Sequence, residues 1–197
     1  AKLYFITART DLNKPLSESG AVFIVPSDTP GFKPDFFHEK SSQRLATNGC
    51  FHLQDCKIPA KNILLGEGKL IELRGKYMPG SKAEAAATVL GVGRSAYEYA
   101  FNYAKNRKQG GKMIIDHQAV AMMISKMTML LDGARLQIWK AAWLADNHHP
   151  DARIQGLISK VRASEAAFEV CTLATEILGG AGIMYNHPIE KYLRDAT

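Results

Sequence analysis

Cysteine is scarce: only Cys50, Cys56 and Cys171 occur in 197 residues. Their odd number and the lack of CxxC or metal-ligand spacing exclude a disulfide framework and read as free thiols in a reducing compartment. Long apolar runs are missing too. None approaches the ~20 residues that span a bilayer, and AKLYFITARTD lacks the charged, apolar, small-residue order of a signal peptide. The expectation is a protein neither exported nor embedded. Also missing are GxSxG, HExxH and a Walker glycine–lysine loop, which excludes three common hydrolase designs. The GxG at Gly91–Gly93 falls inside a helical stretch, so it is no dinucleotide fingerprint. His148 and His149 are adjacent and cannot share a helix face, so no metal site is expected there.

What is present supports a packed core. The chain is 46% apolar and 22% charged, a composition of globular rather than disordered proteins. A net charge of +6 invites comparison with nucleic-acid binders. The lysines and arginines are scattered, however, and the densest stretch, KNRKQGGK (Lys105 to Lys112), equally suits a phosphate-bearing small molecule or a helix end that favours cations. Nucleic acid is therefore the least favoured partner.

The first third reads as antiparallel strands. LYFITAR and AVFIVP are β-rich runs separated by the turn-forming DLNKPLSESG, and CFHLQDCKIP alternates before ending at a proline. Pro26, Pro30 and Pro34 punctuate the connection. From about Lys82 the period becomes helical. The spacing predicts a first helix over 83–108 lined by small residues and a second over 117–147. That second helix carries one apolar face at Val120, Ile124, Met127, Leu131, Ala134 and Ile138 and another at Met122, Met129, Leu136 and Trp143. Two apolar faces imply burial on two sides, by oligomer contacts or as an interior helix. A third helix, started near Asp151 and stopped by Gly179–Gly180, spans 151–178 and directs Ile154, Leu157, Ile158, Val161, Phe168, Cys171 and Leu178 to the core. The expected fold is α+β: a partial antiparallel β domain (residues 1–68), then an up-down helical bundle (residues 69–197).

Two inter-helix segments stand out, NRKQGGKMIIDHQ and EILGGAGIMYNHPIEKYLRDA. The first ends in His117–Gln118 at a helix start, where free N–H groups receive anions. Together with ARTD, VPSDTPGF and FHLQDCKIPAKNILLGEG, in this order and spacing, they resemble the acyl-CoA dehydrogenase family over nearly the whole chain. The resemblance implies a flavoenzyme that binds FAD and dehydrogenates an acyl-CoA thioester, removing an α-proton and passing hydride to flavin N5. It further implies a homodimer or homotetramer, an electron-transfer flavoprotein as partner, and a bacterial cytoplasm or mitochondrial matrix as location. By motif position, Arg107 approaches the diphosphate, and Gln109, Ile114, His117 and Gln118 lie near the cofactor. Glu176, Ile177, Leu178, Gly179 and Gly180 run along its adenosine end, and Lys82 takes the place of a substrate-entrance arginine.

The resemblance places the catalytic glutamate a few residues beyond Thr197, or, in other branches, at the position held here by Ser81. Serine cannot act as that base, which leaves Glu84 as a weak substitute within the chain. Lys82 follows MPGS instead of an acidic stretch. SSQRLATN (Ser41 to Asn48) loses a glycine and a serine of the family pattern, Gly110 replaces a phenylalanine, and Glu176 replaces a frequent glutamine. These departures motivate an alternative: a relative that has lost catalysis and serves in binding or assembly.

Overall fold

The structure, a computed structural model, describes residues 2–197. By internal contacts the described residues divide into one unit of residues 2–40 and 44–77 and a second of residues 41–43 and 78–197.

In the first unit, β1 (Leu3–Arg9) pairs antiparallel with β2 (Gly20–Pro26), and β2 pairs with β5 (Ile63–Leu65), giving the order β1-β2-β5. Residues along β1 alternate between exposed and half-buried, the two-residue period of a strand with one covered face. A separate ladder joins β3 (Phe32–Phe37) to β4 (Gly49–Leu53). Pro34 is tolerated inside β3 because a two-stranded sheet has only edges, where a missing N–H costs no ladder bond. The rings of Tyr4, Phe32 and Phe51 gather at 4.6 and 5.3 Å between centroids, well within aromatic contact range. The DLNKPLSESG segment is only partly loop, since Leu16–Ser19 makes one helical turn, α1.

The second unit is the helical bundle. The first long helix, α2 (Leu70–Asn106), begins within the first unit and contributes residues 78–106 to the second; it starts well before the predicted residue 83 and holds Pro79 in its interior. Without an N–H, Pro79 leaves the carbonyl of Gly75, four residues earlier, without its helical donor. Helix α3 (Gln118–Asp146) and helix α4 (Ala152–Leu178) match the predicted second and third helices closely, and the short α5 (Ile189–Asp195) follows them. Asp151 occupies the N-cap of α4 without a side-chain capping bond; its N–H instead donates to His149 Nδ1 at 3.1 Å.

The expected core face of α4 is corrected. Cys171 and Leu178 are buried, but Ile154 (55% exposed), Leu157, Ile158, Val161 and Phe168 face outward. The buried stripe consists of small residues, among them Ala152, Gly156, Ser159, Ala163, Ala167 and Ala174. Close helix crossing explains the inversion. A Cβ placed on Gly93 of α2 would stand 3.0 Å from Ala167 Cα, and one on Gly156 would stand 2.9 Å from the Pro79 carbonyl oxygen. Only small residues permit such backbone approach. On α3 the face of Met127, Leu131, Ala134 and Ile138 is buried as predicted, with Val120 and Ile124 packed against it. The second face, including Met129 and Trp143, is open to solvent rather than covered within this chain.

One helical stretch, Ala152–Ile183, is long and apolar enough by composition to cross a membrane. The sequence search for unbroken apolar runs misses it because polar residues interrupt every run of α4. In this fold its small-residue stripe packs into the bundle.

Candidate functional site

The end of α2, the turn after it and the end of α4 supply the walls of one cavity. After Asn106 the chain folds into a hairpin, β6 (Lys108–Gln109) with β7 (Lys112–Met113), around Gly110 and Gly111. Both glycines have positive φ, +61° and +86°, the left-handed backbone that two-residue hairpin turns require. A side chain on Gly110 would also come within 3.3 Å of the His117 ring. Glycine at position 110 is thus explained locally by turn chemistry. The hairpin is pinned to the helix end by the Ile114 N–H, which donates to the Arg107 carbonyl at 2.8 Å.

A helical turn at Ile114–Asp116 leads to His117, the N-cap of α3. Its side chain does not cap the helix; Nε2 lies 3.0 Å from the Gln109 carbonyl oxygen, tying the helix start to the hairpin. The first N–H groups of α3 therefore lack a side-chain partner, and Ala119 and Val120 at that end line the cavity. Such N–H groups, at the positive end of a helix dipole, favour anions.

The opposite wall is the end of α4. Gly179 caps it with φ +58°, its N–H bonded to the Glu176 carbonyl, and a helical turn continues from Gly179 to Ile183. A Cβ on Gly179 or Gly180 would meet no atom of the chain within 4 Å. Bare backbone thus borders open space.

The cavity is an open groove of about 1010 Å³, at the upper end of small-molecule pockets. Arg107, Gln109, Ile114, His117, Glu176, Ile177, Leu178, Gly179 and Gly180 all line it, so the structure brings nine sequence-predicted site residues together. Gln118 is exposed beside them and does not contribute to the lining. Lys82 and Glu84 lie elsewhere on α2: Lys82 sits where Gly156 approaches, and Glu84 is exposed. Ser81 spends its hydroxyl on the Met78 carbonyl at 3.0 Å. Sequence reasoning missed Tyr103 and His187 in the lining. Tyr103 precedes Arg107 by one helical turn and so shares its face, a signal that was available. His187 reaches the cavity through the turn after α4, which no local pattern foretells.

Arg107 and Glu176 enter none of the ion pairs formed among the described residues. The cavity therefore offers an uncommitted guanidinium, an uncommitted carboxylate, two tethered imidazoles, helix-start N–H groups, and an apolar floor at Ile114, Ile177 and Leu178. That set suits a large ligand with an anionic centre, hydrogen-bonding edges and a planar apolar part. FAD has these features, and the open space above Gly179 and Gly180 is room that any side chain there would occupy.

The family model described as "Acyl-CoA dehydrogenase, C-terminal domain" matches residues 77–197. A probable acyl-CoA dehydrogenase of Bacillus subtilis (strain 168) is 34% identical over 196 residues, covering 100% of this chain and 51% of the relative. The mitochondrial short-chain specific acyl-CoA dehydrogenase of Mus musculus is 32% identical, covering 96% of this chain and 45% of the relative. Among solved structures, butyryl-CoA dehydrogenase from Megasphaera elsdenii superposes with a TM-score of 0.91 at 31% identity, over 100% of this chain and 51% of that one. PigA, solved with FAD and proline, gives 0.89 at 25% identity, over 100% and 51%. The chain spans about half the length of the curated relatives it matches.

Proposed function

The chain belongs to the acyl-CoA dehydrogenase family, and from that premise we propose that it forms part of an FAD-dependent enzyme that introduces a double bond α,β to an acyl-CoA thioester. Residues 1–68 are read as the end of a middle β domain and residues 69–197 as the C-terminal helical bundle. The observation that carries the reading is the cavity in which Arg107 and Gly179–Gly180 face the same open space.

In this proposal the cavity holds the nucleotide half of FAD. Arg107 grips the diphosphate, since a planar guanidinium matches phosphate oxygens with two parallel donors. The free N–H groups at the start of α3 add fixed partial positive charge without reorganising. Bare backbone at Gly179 and Gly180 lets the adenosine end approach closely. Gln109, Ile114, His117 and Gln118 flank the cofactor, and Lys82 takes the substrate-entrance position. When bound, the flavin supplies the hydride-accepting chemistry.

The α-proton goes to a carboxylate base, which we place outside residues 1–197, after Thr197. Ser81 has no carboxylate and its hydroxyl is engaged, and Glu84 is exposed away from the cavity. The proposed partners are an acyl-CoA substrate, further copies of the same chain in a homodimer or homotetramer, and an electron-transfer flavoprotein. The solvent-facing Met122, Met129, Leu136, Trp139 and Trp143 of α3 give an apolar surface suited to assembly.

The unpaired Glu176 carboxylate favours one competing reading, a relative that has lost catalysis and keeps a binding or assembly role, because a negative charge opposes a diphosphate. One experiment separates the two. The full-length protein is purified and mixed anaerobically with butyryl-CoA and longer acyl-CoAs. The enzyme reading expects bound flavin whose visible absorbance bleaches with at least one of them. A colourless protein, or flavin that no acyl-CoA reduces, supports the second reading.

A further inference from the structure

One wall of the cavity is built from residues far apart in the chain. His187 lines it, and the Tyr99 hydroxyl, 88 positions earlier, lies 2.7 Å from His187 Nδ1. Tyr103, also in the lining, meets the same imidazole edge-on, with centroids 6.0 Å apart and planes at 86°. Tyr99 does likewise at 6.0 Å and 74°. Two tyrosines on successive turns of α2 therefore fix both the position and the plane of the imidazole.

This contact sets the chemistry of the ring. A phenol is a good donor and a poor acceptor, because its oxygen lone pairs are shared with the ring, whereas an unprotonated imidazole nitrogen is a strong acceptor. The hydroxyl of Tyr99 therefore donates to Nδ1, and the neutral ring carries its proton on Nε2. His187 is half-buried, and no residue of the chain forms a side-chain hydrogen bond with its Nε2 among the described residues. The ring thus keeps one unused donor at a cavity border. By contrast, His117 in the same lining has its Nε2 engaged by the Gln109 carbonyl.

We propose that His187 is a ligand-contacting residue: its Nε2–H donates a hydrogen bond to an acceptor on the nucleotide half of FAD, and Tyr99 is the positioning residue that fixes the donor tautomer. The inference rests on the reading of this cavity as the cofactor site. A neutral donor suits a cavity that also holds the Glu176 carboxylate, since it adds affinity for ring nitrogens and ribose or phosphate oxygens without depending on net charge.

The test uses the full-length protein and measures FAD affinity by titration, alongside the melting temperature of the flavin-free form. His187→Phe keeps the aromatic edge contacts and removes the donor; His187→Gln restores a donor at similar reach. Expected is a loss of about fivefold to tenfold in affinity for His187→Phe, the range of one neutral hydrogen bond, with most of it recovered in His187→Gln. Tyr99→Phe weakens binding about threefold when His187 is present and has no effect in the His187→Phe background, the signature of coupled residues. FAD affinity within twofold of the parent in His187→Phe, with the parent binding FAD, overturns the inference and leaves the cofactor reading intact. Equal effects of Tyr99→Phe in both backgrounds overturn the positioning role. A parent protein that binds no FAD overturns the cofactor reading and this inference together.

Discussion

Asp195 shows how one side chain organises the end of the bundle. It is only 8% exposed, accepts a hydrogen bond from the Gln43 N–H at 2.6 Å and pairs with Lys191. Gln43 has φ +45°, a costly conformation for a residue with a side chain, so the carboxylate secures a strained turn. Burial raises the Asp195 pKa, but the hydrogen bonds from Lys191 and Gln43 and the charges of Lys191 and Arg194 outweigh it, holding the carboxyl below its ordinary value. The same buried neighbourhood makes Cys171 inert: burial, and then the charge of Asp195, push its thiol up to about 12. A depressed carboxyl contributes stability that is present above the unfolded-state value of ~3.9 and is lost as pH falls through the lower folded value. Asp195→Asn should therefore melt earlier than the parent at neutral pH, with the gap closing below about pH 4. A gap that stays constant or widens in acid would show that Asp195 acts through something other than its charge.

At the scale of elements, the bundle is set by how closely its helices cross. Gly93 faces Ala167 at backbone distance, whereas a Cβ on Gly91, two residues earlier on α2, meets nothing within 4 Å. In denaturant unfolding, Gly93→Val is expected to cost about 1–3 kcal/mol, the usual penalty of overpacking. Gly91→Ala should raise stability by roughly 1 kcal/mol through helix propensity alone. Loss of stability in both, or in neither, would contradict the crossing geometry. These crossings also explain what the sequence conveys poorly. The existence, order and ends of α3 and α4 are legible because period, His-Pro and Gly-Gly signals agree. The inward face of α4 is not legible, because its large apolar residues suggest a core that close packing gives instead to alanine, glycine and serine. The early start of α2 is masked by Pro79 and Gly80, which ordinarily mark a boundary. Among the strands missed in the sequence, β3 and β5 lack a clean two-residue alternation, since β3 contains a proline and β5 has only three residues, and β6 and β7 have two residues each.

For the molecule as a whole, the cavity is made by two connections separated by the lengths of α3 and α4, the RKQGGK hairpin and the Gly179–Gly180 turn. Most of its lining is legible beforehand because glycine pairs and a helix-start histidine have fixed backbone consequences and because the family resemblance aligns them. His187 is not, since its place depends on how the turn after α4 folds back toward α2. The central claim is that this space belongs to the nucleotide half of FAD. Gly180→Val tests it most directly, because the added side chain meets no atom of the chain and needs no left-handed backbone, yet it stands where a ligand would lie. In the full-length protein the account predicts that FAD affinity, measured by titration, falls at least about tenfold while the flavin-free melting temperature stays unchanged. FAD bound as tightly by Gly180→Val as by the parent would contradict it.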